Sequence, residues 1–174
     1  MDAYWHEGPE VSVNAICQRA GISKPSLYRS FGSEDGLTAA ALEQYADFVL
    51  SQTRTILESD VSFRDKLNAL VAYASEDPCN DRGCLFVKMR TARSHLGPKT
   101  QSKVQEVDDQ TLALYKQFLK DSRVAGDWGG PISPELGARF LLGQIELALS
   151  QRARGVEARD VRPLLELAVS VLDR

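Results

Sequence analysis

The sequence predicts an all-α protein, and three observations carry that reading. Apolar residues recur at i, i+3, i+4 and i+7 along nearly every ordered stretch. Ser, Asp, Gly and Pro stand at the ends of those stretches, where helices need caps and stops. No stretch alternates apolar and polar residues as a half-buried strand does. Hydrophobic residues make up 43% and charged residues 26% of the 174, enough apolar material for a core in one or two domains.

Met1 to Glu10 reads as the end of a helix. Tyr4 and Trp5 are its last apolar residues, Gly8 its stop, and Pro9 lies just beyond. The segment is expected to be the remainder of a longer first helix. Ser12 then caps a helix from Val13 to Ala20, with Val13, Ile16, Cys17 and Ala20 on one face. Gly21 supplies a left-handed turn, and Ile22 is expected to plug the angle between two helices. Ser23 caps the next helix, Pro25 sits in its first turn, and Gly32 ends it after Phe31. Ala15, Ile16, Ala20, Leu27 and Phe31 are expected in the core. Ser33 caps a third helix, with Glu34 and Asp35 against its N-terminal dipole. Helix, glycine turn, helix is the helix-turn-helix pattern.

The third helix is expected to run to about Ser59 with Leu37, Ala41, Tyr45, Phe48, Val49 and Ile56 inward. Ser62 caps the next, with Phe63, Leu67, Leu70, Val71 and Ala74 as its stripe. Glu76 to Arg82 is a turn-rich break. Gly83 to Ser94 predicts a helix, and Leu96-Gly97-Pro98 ends it. Lys99 to about Asp121 is another, followed by a Gly/Pro-rich loop from Arg123 to Ser133. Two helices close the chain, one capped by Ser133 and running to about Arg154, one capped by Asp160 and running to Leu172. Both are apolar around more than one face, as expected of helices that pack on a second copy. Gly137, Ala138 and Gly143 are expected to allow that close approach.

The chemistry of the totals is restrictive. No stretch approaches the 18 apolar residues of a membrane span, and the N-terminus lacks the basic and apolar regions of a signal peptide. Cys17, Cys79 and Cys84 are an odd set, suited to a reducing cytoplasm. Cys79 and Cys84 are spaced C-x4-C without nearby histidine, a poor zinc pattern, so no metal or cofactor is expected. No nucleophile-base-acid set, phosphate loop or HExxH segment is present, and the chain is not expected to be an enzyme.

Tyr4 to Leu42, YWHEGPEVSVNAICQRAGISKPSLYRSFGSEDGLTAAAL, resembles the N-terminal domain of the TetR family of bacterial transcriptional repressors. The specific parts are AGIS followed by K-x-S-L-Y-R-x-F-G-S; RGCLFVKM at Arg82–Met89 is a second, weaker match. The resemblance implies a helix-turn-helix DNA-binding domain over residues 1–45 and a larger helical ligand-binding and dimerisation domain over 46–174. It also implies a homodimer on a palindromic double-stranded operator, released by a small-molecule effector. Two recognition helices related by a two-fold axis independently favour inverted half-sites.

Lys24, Ser26 and Arg29 lie at or near the exposed start of the recognition helix, where Arg can fork onto guanine and Lys can reach phosphate or base edges. Tyr28 offers a hydroxyl to phosphate. Ser12, Ser23 and Pro25 set the helix starts that face the duplex. The plain alternative for all of them is a solvated helix face. Tyr73, Phe86, Met89, Tyr115, Phe118, Phe140 and Gln144 are expected around the effector pocket, with ordinary core packing as their alternative. His95 is expected at the surface. Residues 1–50 carry Arg19, Lys24 and Arg29 against seven acidic residues, although phosphate neutralisation depends on Lys and Arg. That imbalance keeps open a second reading, a helical dimer that binds a small molecule or protein and no longer binds DNA.

Overall fold

The computed structural model describes residues 1–172, and all regular structure among them is helical. In chain order the helices are α1 (Asp2–Glu7), α2 (Val13–Ala20), α3 (Lys24–Phe31), α4 (Glu34–Leu57), α5 (Phe63–Glu76), α6 (Leu85–Thr91), α7 (Pro98–Ala125), α8 (Pro134–Ala153) and α9 (Ala158–Val169). Short 3₁₀ turns occupy Pro78–Arg82, Arg93–His95 and Ser170–Leu172. No helix among the described residues is long and apolar enough to cross a membrane.

The helix starts follow the expected chemistry. The side chains of Ser12, Ser23, Ser62 and Ser133 each accept a backbone N–H of the first turn behind them. Ser33 does the same for α4, accepting the Gly36 N–H at 3.0 Å. Several boundaries differ from expectation, and α7 runs from Pro98 to Ala125, beyond both expected ends. α6 begins at Leu85, because Gly83 takes a φ of 74° that no helix contains. Its end tightens into a 3₁₀ turn at Arg93–His95, closed by the His95 and Leu96 N–H groups on Ala92 and Arg93 carbonyls ahead of Gly97-Pro98. α9 begins at Ala158, because the extended Glu157 already offers its carbonyl to the Asp160 and Val161 N–H groups. Asp160 therefore lies inside the first turn, against the helix dipole, and does not cap it.

The chain forms two compact units, each discontinuous in sequence: residues 1–49 with 84–108, and residues 50–83 with 109–174. In the first, α1 is held on α4 and α6. The Tyr4 and Thr38 hydroxyls share a hydrogen bond of 2.9 Å, Trp5 packs edge-on against Tyr45 at 5.3 Å between centroids, and Lys88 Nζ donates to the Trp5 carbonyl at 2.7 Å. Burial lowers the Lys88 pKa from its ordinary value. Leu37, Ala41 and Tyr45 of α4 are buried as expected, whereas Phe48 is 46% exposed. The inward stripe runs through Thr38, Leu42 and Ala46 and leaves Phe48 beyond its edge.

The second unit is built on one apolar cluster. Phe63 stacks on Phe118 and Trp128, and Leu70, Val71, Leu119, Leu141, Leu165 and Leu172 fill the space around them. Arg123 lies over the Trp128 ring at 4.2 Å and donates to the Gly130 and Ile132 carbonyls, which fixes the loop before α8. Gly137 and Ala138 serve this interior: a Cβ on Gly137 would stand 2.8 Å from Leu119 Cδ1. Gly143 alone of the three faces open space.

Candidate nucleic-acid interface

α2 and α3 are joined by a turn that the sequence dictates closely. Gly21 adopts the left-handed conformation (φ 65°, ψ 29°) and its N–H returns to the Gln18 carbonyl, while the Ile22 N–H reaches Cys17 at 3.1 Å. Those two bonds form the Schellman closure. The turn is closed by backbone alone. Ile22, expected as a plug between the helices, is 42% exposed because only its N–H is engaged.

α3 is anchored by a single side chain. Leu27 is 1% exposed, while Lys24, Pro25, Ser26, Tyr28, Arg29 and Ser30 all face solvent. Phe31 and Ala20, expected in the core, are exposed because each sits in the final turn of its helix, beyond the reach of the packed face. Ala15 and Ile16 are half-buried. Ser12 Oγ accepts from the Ala15 N–H at 3.2 Å and Ser23 Oγ from the Ser26 N–H at 3.4 Å, so both serines cap helices and both are exposed. Lys24 and Arg29 make no ion pair among the described residues. Arg19 does, on Glu7, which ties α2 to α1. The result is a short helix with two unpaired cations, hydroxyls at Ser26, Tyr28 and Ser30, and one apolar anchor. Such a helix fits a major groove, where donors meet base edges and phosphates.

Behind α3, the start of α4 is locked to the start of α7. The Asp35 carboxylate accepts the Lys99 N–H at 2.8 Å, the Thr100 N–H at 3.0 Å and the Thr100 hydroxyl at 2.7 Å. The Thr100 hydroxyl also lies 3.1 Å from the Asp35 carbonyl. Burial alone would raise the Asp35 pKa, but the Thr100 and Lys99 hydrogen bonds outweigh it and hold the carboxyl below its ordinary value. Gly97 makes room for this contact: a Cβ there would meet Asp35 Cγ at 2.4 Å. One turn on, Lys103 bridges Glu43 of α4 and Glu106 of α7. Local sequence carries no signal for these contacts, since the partners are some 65 residues apart.

The remaining predicted positions fall as follows. Phe86 and Met89 are buried in the first unit, and Tyr73, Tyr115, Phe118, Phe140 and Gln144 belong to the second. Tyr115 and Phe118 are part of its apolar cluster, Phe140 packs against that cluster, and Tyr73 and Gln144 are half-buried. Cys84 is buried and Cys79 exposed, and no disulfide joins cysteines among the described residues. Burial and the neighbouring Asp77 carboxylate raise the Cys79 pKa, the opposite of an activated thiol. His95 is at the surface. No group of residues able to hold a metal ion occurs among the described residues.

The fold and the exposed α3 define a helix-turn-helix protein. Residues 2–41 match the profile described as "Bacterial regulatory proteins, tetR family", so the chain is similar to that family over its helix-turn-helix. The chain is similar to the nucleoid occlusion factor SlmA of Aliivibrio fischeri (strain MJ11), 21% identical over 140 residues, 78% of this chain and 69% of that protein. It is also similar to the HTH-type transcriptional activator FasR of Mycolicibacterium smegmatis, 37% identical over 59 residues, 34% of this chain and 27% of the other. The reduced form of E. coli NemR superposes with a TM-score of 0.87 at 20% identity, covering 98% of this chain and 91% of that one. A TetR-family regulator, a CifR cysteine mutant complexed with 26 bp double-strand operator DNA, gives 0.80 at 24% identity, covering 98% and 91%. These structural likenesses establish the fold.

Proposed function

We propose that the protein is a cytoplasmic homodimeric repressor that holds a palindromic operator and releases it when a small molecule binds its C-terminal helices. The observation that carries this reading is α3, held by Leu27 alone and presenting Lys24, Ser26, Tyr28 and Arg29 outward behind the Ser23 cap. Ser12 and Pro25 complete the surface, the first capping α2 and the second setting the first turn of α3. Operator DNA bound by the similarly folded CifR mutant supports a double-stranded DNA partner.

Support for the dimer comes from α8 and α9, where Leu136, Leu147, Leu164 and Leu167 are each about half or more exposed. Support for an effector comes from the second unit, which supplies Tyr73, Tyr115, Phe118, Phe140 and Gln144. There Phe118 lines a cavity of about 200 Å³ with Leu57, Leu114, Lys66 and Asp121.

Binding of the full chain to the DNA upstream of its own gene, read by fluorescence anisotropy at low salt, tests the reading. Saturable binding that Arg29→Ala weakens at least tenfold is expected. No binding, or binding indifferent to Arg29, favours instead the helical dimer without DNA, which the acidic excess of residues 1–50 supports.

A further inference from the structure

The acidic balance of residues 1–50 is not the balance of the folded unit that carries α3. Residues 84–108 add Lys88, Arg90, Arg93, Lys99 and Lys103 against Glu106 and Asp108. Most of the unit's cations are already engaged. Arg19 is on Glu7, Lys88 on the Trp5 carbonyl, Arg90 on Asp108, Lys103 between Glu43 and Glu106, and Arg93 on the Gln105 side chain. Three remain whose side chains make no ion pair or hydrogen bond among the described residues: Lys24, Arg29 and Lys99, the last with its charge near enough to the Asp35 carboxylate to help hold that carboxyl ionised. Two of them are the cations of α3. The third is brought beside the end of α3 from some 70 residues away. Its N–H is fixed on Asp35, three residues past the Gly32 that ends α3, and its side chain is exposed.

A helix lying in a major groove has a phosphate backbone on each side, so a cation just outside the helix meets phosphate and not bases. The N–H groups that open α7 are spent on Asp35, which leaves the Lys99 ammonium as the group able to take an anion. We propose that Lys99 is a DNA-phosphate contact, delivered to the edge of the recognition helix by the Asp35 joint. The inference rests on the DNA-binding reading above. It also explains why α4 can carry Asp35 in its first turn in a DNA-facing unit: that carboxylate is consumed in positioning a cation.

The test uses the full chain and two labelled duplexes of about 30 base pairs, one enriched from random DNA by the parent protein and one scrambled. Lys99→Ala is expected to weaken both by the same several-fold factor, and the salt slope should fall by about 0.9 for each Lys99 engaged. Lys99→Arg should keep the parent slope, and Lys99→Glu should weaken binding further. Arg29→Ala should instead cost more on the enriched duplex than on the scrambled one. A parent slope retained in Lys99→Ala, with Arg29→Ala defective, overturns the Lys99 assignment alone. A parent protein that binds neither duplex overturns the DNA reading and this assignment with it.

Discussion

Thr100 closes a ring on Asp35. Its N–H and its hydroxyl both reach the same carboxylate oxygen, at 3.0 and 2.7 Å, while the Lys99 N–H takes the other oxygen. A carboxylate from the first turn of α4 thus caps the first turn of α7, and the dipoles of two helices meet one negative charge. Asp35→Ala is expected to destabilise the protein by about 1–2 kcal/mol, the usual cost of a lost cap. Urea unfolding at pH 7 measures it, and an unchanged midpoint would remove the cap from the account.

The same joint sets a pH dependence. Asp35 has a folded pKa below its ordinary value, so the unfolded chain binds the proton more readily. The stabilisation is present above the ordinary carboxylate pKa and is lost as pH falls through that range toward the lower folded value. Asp35→Asn should therefore flatten the loss of stability below about pH 4 relative to the parent. Thermal midpoints followed from pH 7 to pH 3 check this, and parallel curves would refute it.

Gly97 and Gly143 give a paired test of what glycine does in this chain. A methyl at 97 lands on Asp35, whereas a methyl at 143 meets nothing within 4 Å. Gly97→Ala is expected to cost about 1–3 kcal/mol through forced displacement of the carboxylate. Gly143→Ala, in the middle of α8, should gain roughly 0.5–1 kcal/mol at protein concentrations low enough to keep the chain monomeric. Chemical denaturation of both variants decides the contrast.

Sequence patterns reached as far as local chemistry reaches. Ser12, Gly21, Ser23 and Gly32 fix the bounds of α2 and α3 because caps and left-handed turns depend on neighbours a few residues away. The exposure of Ile22, Phe31 and Phe48 was not legible, since apolar spacing marks a face without saying how far that face is covered. Gly137 showed the same limit from the other side: a small residue invites a close neighbour, and only the fold reveals that the neighbour is Leu119. The Asp35 joint was hidden because an aspartate at a helix start reads as a partner of its own dipole. The site cations suffered likewise, as the charge of residues 1–50 omits the five basic residues that residues 84–108 return to that unit.

α8 and α9 give a prediction about assembly. Leu164 and Leu167 are 57% and 71% exposed on one helix, and Leu136 and Leu147 are 60% and 48% exposed on the other. Burying the exposed half or so of each side chain is worth about 1–2 kcal/mol, so two copies packing here gain substantially. Leu167→Glu should shift the protein to a 19 kDa monomer in sedimentation at micromolar concentration while helical content holds. A parent already monomeric would defeat the dimer.

The last prediction separates holding α3 from using it. Leu27 is the only buried side chain of α3, and its truncation to Ala should cost about 2–4 kcal/mol in stability. Gly21 holds a left-handed turn, so Gly21→Ala should cost about 1 kcal/mol through backbone strain alone. Both should lower the thermal midpoint, and both should weaken DNA binding only as far as the helix-turn-helix is lost. Arg29 is exposed and makes no ion pair among the described residues, so Arg29→Ala should leave stability within about 0.5 kcal/mol of the parent and still remove DNA affinity. Thermal unfolding and anisotropy on the same three variants distinguish these outcomes. If Arg29→Ala lost stability and kept affinity, α3 would be a structural helix and the recognition surface would lie elsewhere.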